Sequence, residues 1–160
     1  MYRKPKAGTA LIRTGLGGMK ISAKGKGMLA LPFLHRVEEL PLTVTIIQLS
    51  FTGRDSLLCK DDATLALEAH FTIRVNTYLD DIQELVTRHG CRNAADERYV
   101  TRLFEPKLIQ TLRNAGSQFT ADEILKDPVA FQEEFIVLFG MDHDGFKLHD
   151  AAFDIKGRRQ

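Results

Sequence analysis

The chain has 160 residues, 44% of them apolar and 27% charged, with a net charge of +1. That balance suits one folded domain, or two small lobes sharing a core, and argues against a dedicated nucleic-acid binder, which carries a strong basic excess. Nothing approaches the ~18 consecutive apolar residues of a spanning helix, and the polar, basic opening MYRKPKAG is no secretory signal.

Ala10–Thr14 reads as a short strand ending at Gly15-Leu16-Gly17-Gly18, where glycines permit a tight reversal. Met19–Ala23 resumes it, and Lys24-Gly25-Lys26-Gly27 turns again before the apolar run Met28–Leu34 (MLALPFL). Leu42–Phe51 reads as a strand whose phase slips. Leu42, Val44 and Ile46 are even, whereas Ile47, Leu49 and Phe51 are odd, so a β-bulge at Ile46-Ile47 is expected. Gly53–Asp62 holds turn residues, with a short strand within Ser56–Lys60. The clearest element is Ala63–Asn76. Leu65, Leu67, Ala69, Phe71, Ile73 and Val75 alternate with polar residues, Ala66 being the one apolar intruder. A strict period of two sends one face to a core and leaves the other for water, so the central strand of an antiparallel sheet is expected here.

After Asn76 the period changes to about 3.6. Thr77 is expected to cap a helix with Leu79, Ile82, Leu85 and Val86 on one side, stopped by Gly90. A second helix, from after Asn93 to Ala115, has the stripe Val100, Leu103, Phe104, Leu108 and Leu112, with a kink or break at Pro106. Thr120 and Glu123 form a capping box before Ile124 and Leu125. Asp127-Pro128 opens a last helix with Val129, Phe131, Phe135, Leu138 and Phe139 facing inward, ended by Gly140. Phe146–Ile155 returns as a strand that also slips phase. The fold class is therefore α+β: mainly antiparallel sheet, a small β-rich N-terminal lobe, and helices packed on one face. A single domain over residues 1–160 is expected, with a β-rich sub-lobe at 1–52 and an α+β sub-lobe at 53–160.

Several phrases carry a resemblance: KPKAGTALIRTG with its glycine tail (from Lys4), LPFLHRVEE (Leu31–Glu39), FTIRVN (Phe71–Asn76), Thr120-Ala-Asp-Glu-Ile124, and Gly140 before a returning strand. In order and spacing these resemble the SPFH, or Band 7, domain of stomatins, prohibitins and flotillins, and the opening resembles the flotillin branch. The resemblance implies a non-enzymatic scaffold. Such domains pack side by side into rings or cages on a membrane and organise lipid and protein microdomains. Their partners are further copies or other SPFH proteins. Members generally add an N-terminal membrane segment and a long coiled coil after the domain. This chain opens at the first strand and stops in Gly157-Arg-Arg-Gln160, so it reads as an excised domain or a short stand-alone version. The alternative is a soluble protein- or ligand-binding module reusing the fold without a membrane. The expected location is cytoplasmic, or peripheral at the inner face of a membrane.

Met28, Leu29, Leu31, Phe33 and Leu34, flanked by Lys24, Lys26, His35 and Arg36, could dip into a leaflet beside anionic headgroups. The same run could instead be a core strand. Glu68 and Arg74 on the long strand, with Arg98, Arg102 and Glu105 on the second helix, could pair across a lateral contact between copies, or could be ordinary solvated charge. No cofactor is expected. The glycines lack a nucleotide-binding pattern, since Lys26 precedes Gly27 rather than Ser or Thr. Asp142, His143, Asp144, His149 and Asp150 offer metal-type ligands but not calcium-loop or zinc spacing, and read as an exposed turn. His70 reads as a solvent-facing histidine. Ser50, Ser56, Ser117, Cys59 and Cys91 have no catalytic surround. Cys59 and Cys91 fit no CxxC pattern, so reduced thiols are expected, with a disulfide as the alternative.

Overall fold

The structure, a computed structural model, describes residues 1–159, with side-chain placement through residue 157; Gln160, named above at the end of the chain, lies outside the described residues. The strands are β1 (Tyr2–Arg3), β2 (Thr9–Gly15), β3 (Lys20–Ser22), β4 (Met28–Leu29), β5 (His35–Pro41), β6 (Val44–Phe51), β7 (Leu57–Leu58), β8 (Thr64–Val75) and β9 (Phe146–Arg159). The helices are α1 (Leu79–Ala94), α2 (Glu97–Gly116), α3 (Ala121–Lys126) and α4 (Pro128–Phe139). Two compact units are assembled from separate stretches of chain. One holds residues 1–45, 74–100 and 142–147; the other holds 46–73, 101–141 and the chain from 148 onward. The first division thus falls at 45/46 rather than at 52/53, because β6 joins the sheet of β8 and carries its residues into the second unit.

In the first unit β2 is the middle strand of a three-stranded antiparallel sheet ordered β3-β2-β5. The reversal between β2 and β3 uses the expected glycines: Gly15, Gly17 and Gly18 all have positive φ. Ala10, Leu11 and Ile12 are buried in succession, so β2 has cover on both faces. One cover is α1, which packs on β5 and β3 and buries Ile82 and Leu85. The N-cap of α1 is Tyr78, with no side-chain cap bond, and not Thr77, whose amide instead donates to the Asn76 side chain. Leu79, expected on the inner stripe, is exposed, since it stands at the first helical position. Gly90 does interrupt the helix, at φ 78 and ψ 158, and one more turn follows it.

In the second unit β8 fulfils its pattern: every odd residue from Leu65 to Val75 in the strand is buried and every even one half-exposed. Aromatic rings from three elements meet on that inner face. Phe71 lies 5.2 Å from Phe135 of α4 and 5.9 Å from Phe153 of β9, and Phe131 lies 5.3 Å from Phe153. Offset and edge contacts of this kind add ~0.5–1.5 kcal/mol each beyond the area they bury. β6 departs from expectation. Its burial alternates without a slip, so no bulge is needed; Thr45, Ile47, Leu49 and Phe51 point in, while Val44 and Ile46 (69% exposed) point out. Pairing with β8 and a strict alternation fix one pleat face, and β-branched residues on the other are left uncovered. β9 does change phase, with Phe146 and Leu148 buried, His149 and Asp150 both exposed, and Ala151 buried again. It continues to Arg159, beyond the expected Ile155.

The helices of this unit keep the expected caps. Thr120 and Glu123 form the reciprocal capping box, and the Asp127 side chain accepts from the Ala130 amide. The α2 helix runs through Pro106 unbroken, with the proline on its exposed side. Leu103 is exposed while Thr111 and Ala115 are buried, so the inner stripe is Val100, Phe104, Leu108, Thr111, Leu112 and Ala115. On α4 only Phe131, Phe135 and Phe139 are buried; Val129 and Leu138 face out. Three phenylalanines at i, i+4 and i+8 already fill that face, leaving the flanking aliphatics without room.

Candidate membrane-contact site

The MLALPFL run is not a core strand. Only Met28 and Leu29 are extended, as β4 paired with β1 (Tyr2↔Leu29, Arg3↔Met28), and Pro32–Leu34 form a turn. Proline and the need to return into β5 end the strand after two residues. Met28 is 2% exposed and Ala30 is buried, which removes Met28 from any surface contact. The other four named residues turn outward: Leu29 is 57% exposed, Phe33 100%, and Leu31 and Leu34 are also exposed.

This apolar knuckle is held by its backbone. The terminal amine of Met1 donates to the Ala30 carbonyl at 2.7 Å, Leu34 N–H to the Leu31 carbonyl at 3.0 Å, and Leu16 N–H to the Leu34 carbonyl at 3.2 Å. Gly15, at φ 122, lets the β2 turn approach; a Cβ there would collide with the Leu34 carbonyl oxygen. His35 closes the loop from below. Its Nδ1 accepts from Leu31 N–H at 2.9 Å, which leaves Nε2 as the protonated nitrogen donating to the Leu16 carbonyl at 3.0 Å. Arg13 donates to the Leu29 carbonyl at 2.6 Å. These bonds bring in residues that the sequence reading missed: Leu16, 67% exposed, and Met1 and Tyr2, both exposed, extend the same apolar surface. Leu16 stands inside a glycine turn, and only the pairing of that turn with Leu34 places it there.

Lys24 and Lys26 are exposed on the adjoining turn, where Ser22 donates to the Lys26 carbonyl. Tyr2 links turn and knuckle, because its ring lies directly over Gly27. Arg36, also exposed, points its charge at Glu38 on the same strand, 3.2 Å away, so it is partly answered within the chain.

The candidate lateral surface divides. Glu68 and Arg74 lie on the half-exposed face of β8. Glu68 has a cation nearby on β9: the Lys156 ammonium, whose pKa is held up first by its bond to Asp154 at 2.6 Å and in smaller part by Glu68. Arg98, Arg102 and Glu105 follow a helical spacing on α2, beside the buried stripe that holds Phe104 and Leu108, with Arg98 and Arg102 exposed and Glu105 half-exposed. His70 is half-exposed on β8. The acidic turn does not assemble as one group. Asp142 comes within 4.8 Å of Asp81 and Glu84, while Asp144 pairs with Arg88 at 3.5 Å. Cys59 and Cys91 are both buried, and neither is in a disulfide. Among the described residues no helix is long and apolar enough to cross a membrane.

An α+β domain of two units, with a hydrogen-bonded apolar knuckle beside basic turns, is the class of protein defined here. The chain belongs to the SPFH domain / Band 7 family, whose profile matches residues 4–148; this is a family of membrane-associated scaffold proteins. The flotillin branch is supported by similarity to the Escherichia coli (strain K12) protein named flotillin family inner membrane protein YqiK, 29% identical over 124 residues. Those residues are 78% of this chain and 22% of that protein, so the chain spans about a fifth of the relative's length.

Proposed function

We propose that this domain is a non-enzymatic building block of a membrane-associated scaffold, docked on a leaflet through the knuckle Leu29–Leu34 and joined laterally to further copies or other SPFH proteins. The observation that carries the reading is Phe33, wholly exposed at the tip of a turn whose backbone is tied at both ends. Burying a phenylalanine or leucine side chain in an apolar phase yields ~1.5–3 kcal/mol each. Leu29, Leu31 and Leu34 are already about half covered, so the apolar gain falls well below four times that figure, and on an anionic surface the lysines alongside add to it. Lateral contacts through Arg98, Arg102 and Glu105 would be head-to-tail, the geometry that closes rings and organises lipid or partner proteins into microdomains. The inner-membrane name of the flotillin relative fits the same placement.

Co-sedimentation with anionic vesicles at low salt tests it. Phe33→Asp leaves the fold intact, because that side chain touches no core, and is expected to lower vesicle-bound protein at least tenfold, a loss of ~1.4 kcal/mol or more. Undiminished binding by that variant, or no binding by the parent chain, would leave the soluble partner-binding module as the better account.

A further inference from the structure

A cavity of about 440 Å³ shares only Lys24 and Lys26 with the membrane-contact surface. It is lined by Lys20 at the start of β3, by Lys24 and Lys26 of the following turn, and by Thr77, Tyr78 and Leu79 at the entrance to α1. No carboxylate contributes to its wall among the described residues. Asp80, in the first turn of α1, opens instead onto a separate groove with Gln83, Glu84 and Arg88. None of the three lysines lies within ion-pair distance of a carboxylate among the described residues. Positive charge therefore converges on a concave site without an internal partner.

A second observation is independent of the cavity. Arg13 of β2 stands directly across from Lys20 of β3 in the antiparallel register, so both project from the same sheet face. Like charges placed opposite one another destabilise a strand pair. Arg13 is committed to a neutral carbonyl, that of Leu29, and its Nε is buried without a hydrogen-bond partner. Neither cation is neutralised from within the chain. A bound anion would relieve that repulsion.

The N-terminus of α1 adds donors of the right sign. Its N-cap residue Tyr78 makes no side-chain cap bond, and Leu79, the first helical residue, lines the wall with its amide unbonded within the helix, while Asp80 and Asp81 follow in the same turn. Ammonium groups, a threonine hydroxyl and backbone amides around one hollow form the donor set suited to tetrahedral oxyanions. Gly27 lines the cavity as well, with the Tyr2 ring over it and Tyr2 paired to Leu29. One wall of the hollow is therefore joined, through Tyr2, to the strand pair that carries Leu29.

We infer that this cavity is a phosphate-binding site whose ligand is the phosphomonoester headgroup of an anionic lipid, bound while the neighbouring knuckle enters the acyl region. For its lipid source the inference rests on the membrane reading above; its phosphate chemistry does not. Lys20, Lys24 and Lys26 supply the charge, Thr77 and the Leu79 amide the directed hydrogen bonds, and Arg13 the field behind them.

Two measurements on the full chain test it. In the first, inorganic phosphate is titrated into the ¹⁵N-labelled protein at low ionic strength. Saturable amide shifts are expected at Ser22, Gly25, Gly27, Thr77 and Leu79, and are expected to vanish in Lys20→Ala/Lys26→Ala. Shifts that are absent there, or that survive in this variant, overturn the site. In the second, partitioning is compared on phosphatidylcholine vesicles doped with phosphatidic acid and on vesicles brought to the same surface potential with phosphatidylserine. Binding to phosphatidic acid is expected to be stronger by roughly fivefold, the effect of one lysine at an anionic surface, and the preference to disappear in the double-lysine variant. Saturable phosphate shifts without any lipid preference keep the site but overturn its lipid source, making a soluble phosphate compound the occupant. Phe33→Asp separates the two ideas: it lowers uptake on both vesicle types alike and leaves the phosphate shifts in place.

Discussion

Cys91 follows the break at Gly90 and packs against β5, where its thiol faces Glu38. Burial first, then the Glu38 charge and the hydrogen bond to it, push the thiol from its ordinary 9.0 up to about 11, with Arg36 opposing. A raised thiol pKa means that the unfolded chain gives up its proton before the folded one does. Stability is unaffected by this group below pH 9 and falls as pH rises through the window from 9 to about 11. The thermal midpoint measured across that window should decline less steeply in Cys91→Ser, which cannot ionise there but keeps a hydroxyl for Glu38. The same shift keeps the thiolate scarce near neutrality, so alkylation of folded Cys91 should be slow. Nothing in the residues around Cys91 in sequence announces this. The partner is some fifty positions earlier, and only the packing of α1 on β5 introduces it.

At the scale of elements, β8 was legible because its two faces meet different surroundings and its side chains alternate accordingly. Phe71 shows what that burial is worth. Phe71→Ala should cost about 3–5 kcal/mol in urea unfolding, since the cavity is walled by Phe135 and Phe153, themselves held by other rings. Thr120→Ala, which removes one half of a capping box at an exposed helix start, should cost about 1 kcal/mol in the same measurement. A reversed ranking would mean that the ring cluster is not the anchor of the sheet. The helix caps at Thr120 and Asp127 were equally readable, because capping is decided within four residues. Elements whose fate depends on distant cover were not. β6 carries aliphatics on both faces, and the alternation alone gives no way to tell that Val44 and Ile46 are the uncovered set. β5 was overlooked because His35–Pro41 has little alternation and is recognised only by its ladder to β2. The apolar knuckle was located as a stretch but half misjudged as core; its hydrophobicity argues for burial, and the proline turn defeats it. Leu16 and Arg13 joined the site through hydrogen bonds across nineteen and sixteen positions, a separation no local pattern spans.

For the whole molecule, the decisive fact is how the chain is shared out between its units. The sheet of β2, β3 and β5 has α1 as its cover, and α1 arrives only after the chain has built β6, β7 and β8. Residues 1–52 expressed alone should therefore show the poorly dispersed amide spectrum of an unfolded chain, with Ile12, Leu11 and Leu40 deprived of that helix, whereas residues 1–159 should give a fully dispersed one. A well-dispersed spectrum from the short fragment would mean that the N-terminal strands are self-sufficient.

That division has an evolutionary corollary. Where a protein's halves are consecutive, recombination can exchange one and leave the other whole. Here a crossover anywhere between β5 and α4 would leave at least one unit assembled from both parents; one between β6 and β8, for instance, would ask β6 from one lineage to lie beside β8 from another. Diversity in such a chain should accumulate on turns and tips, such as the Leu29–Leu34 knuckle, while its interior is inherited as a block.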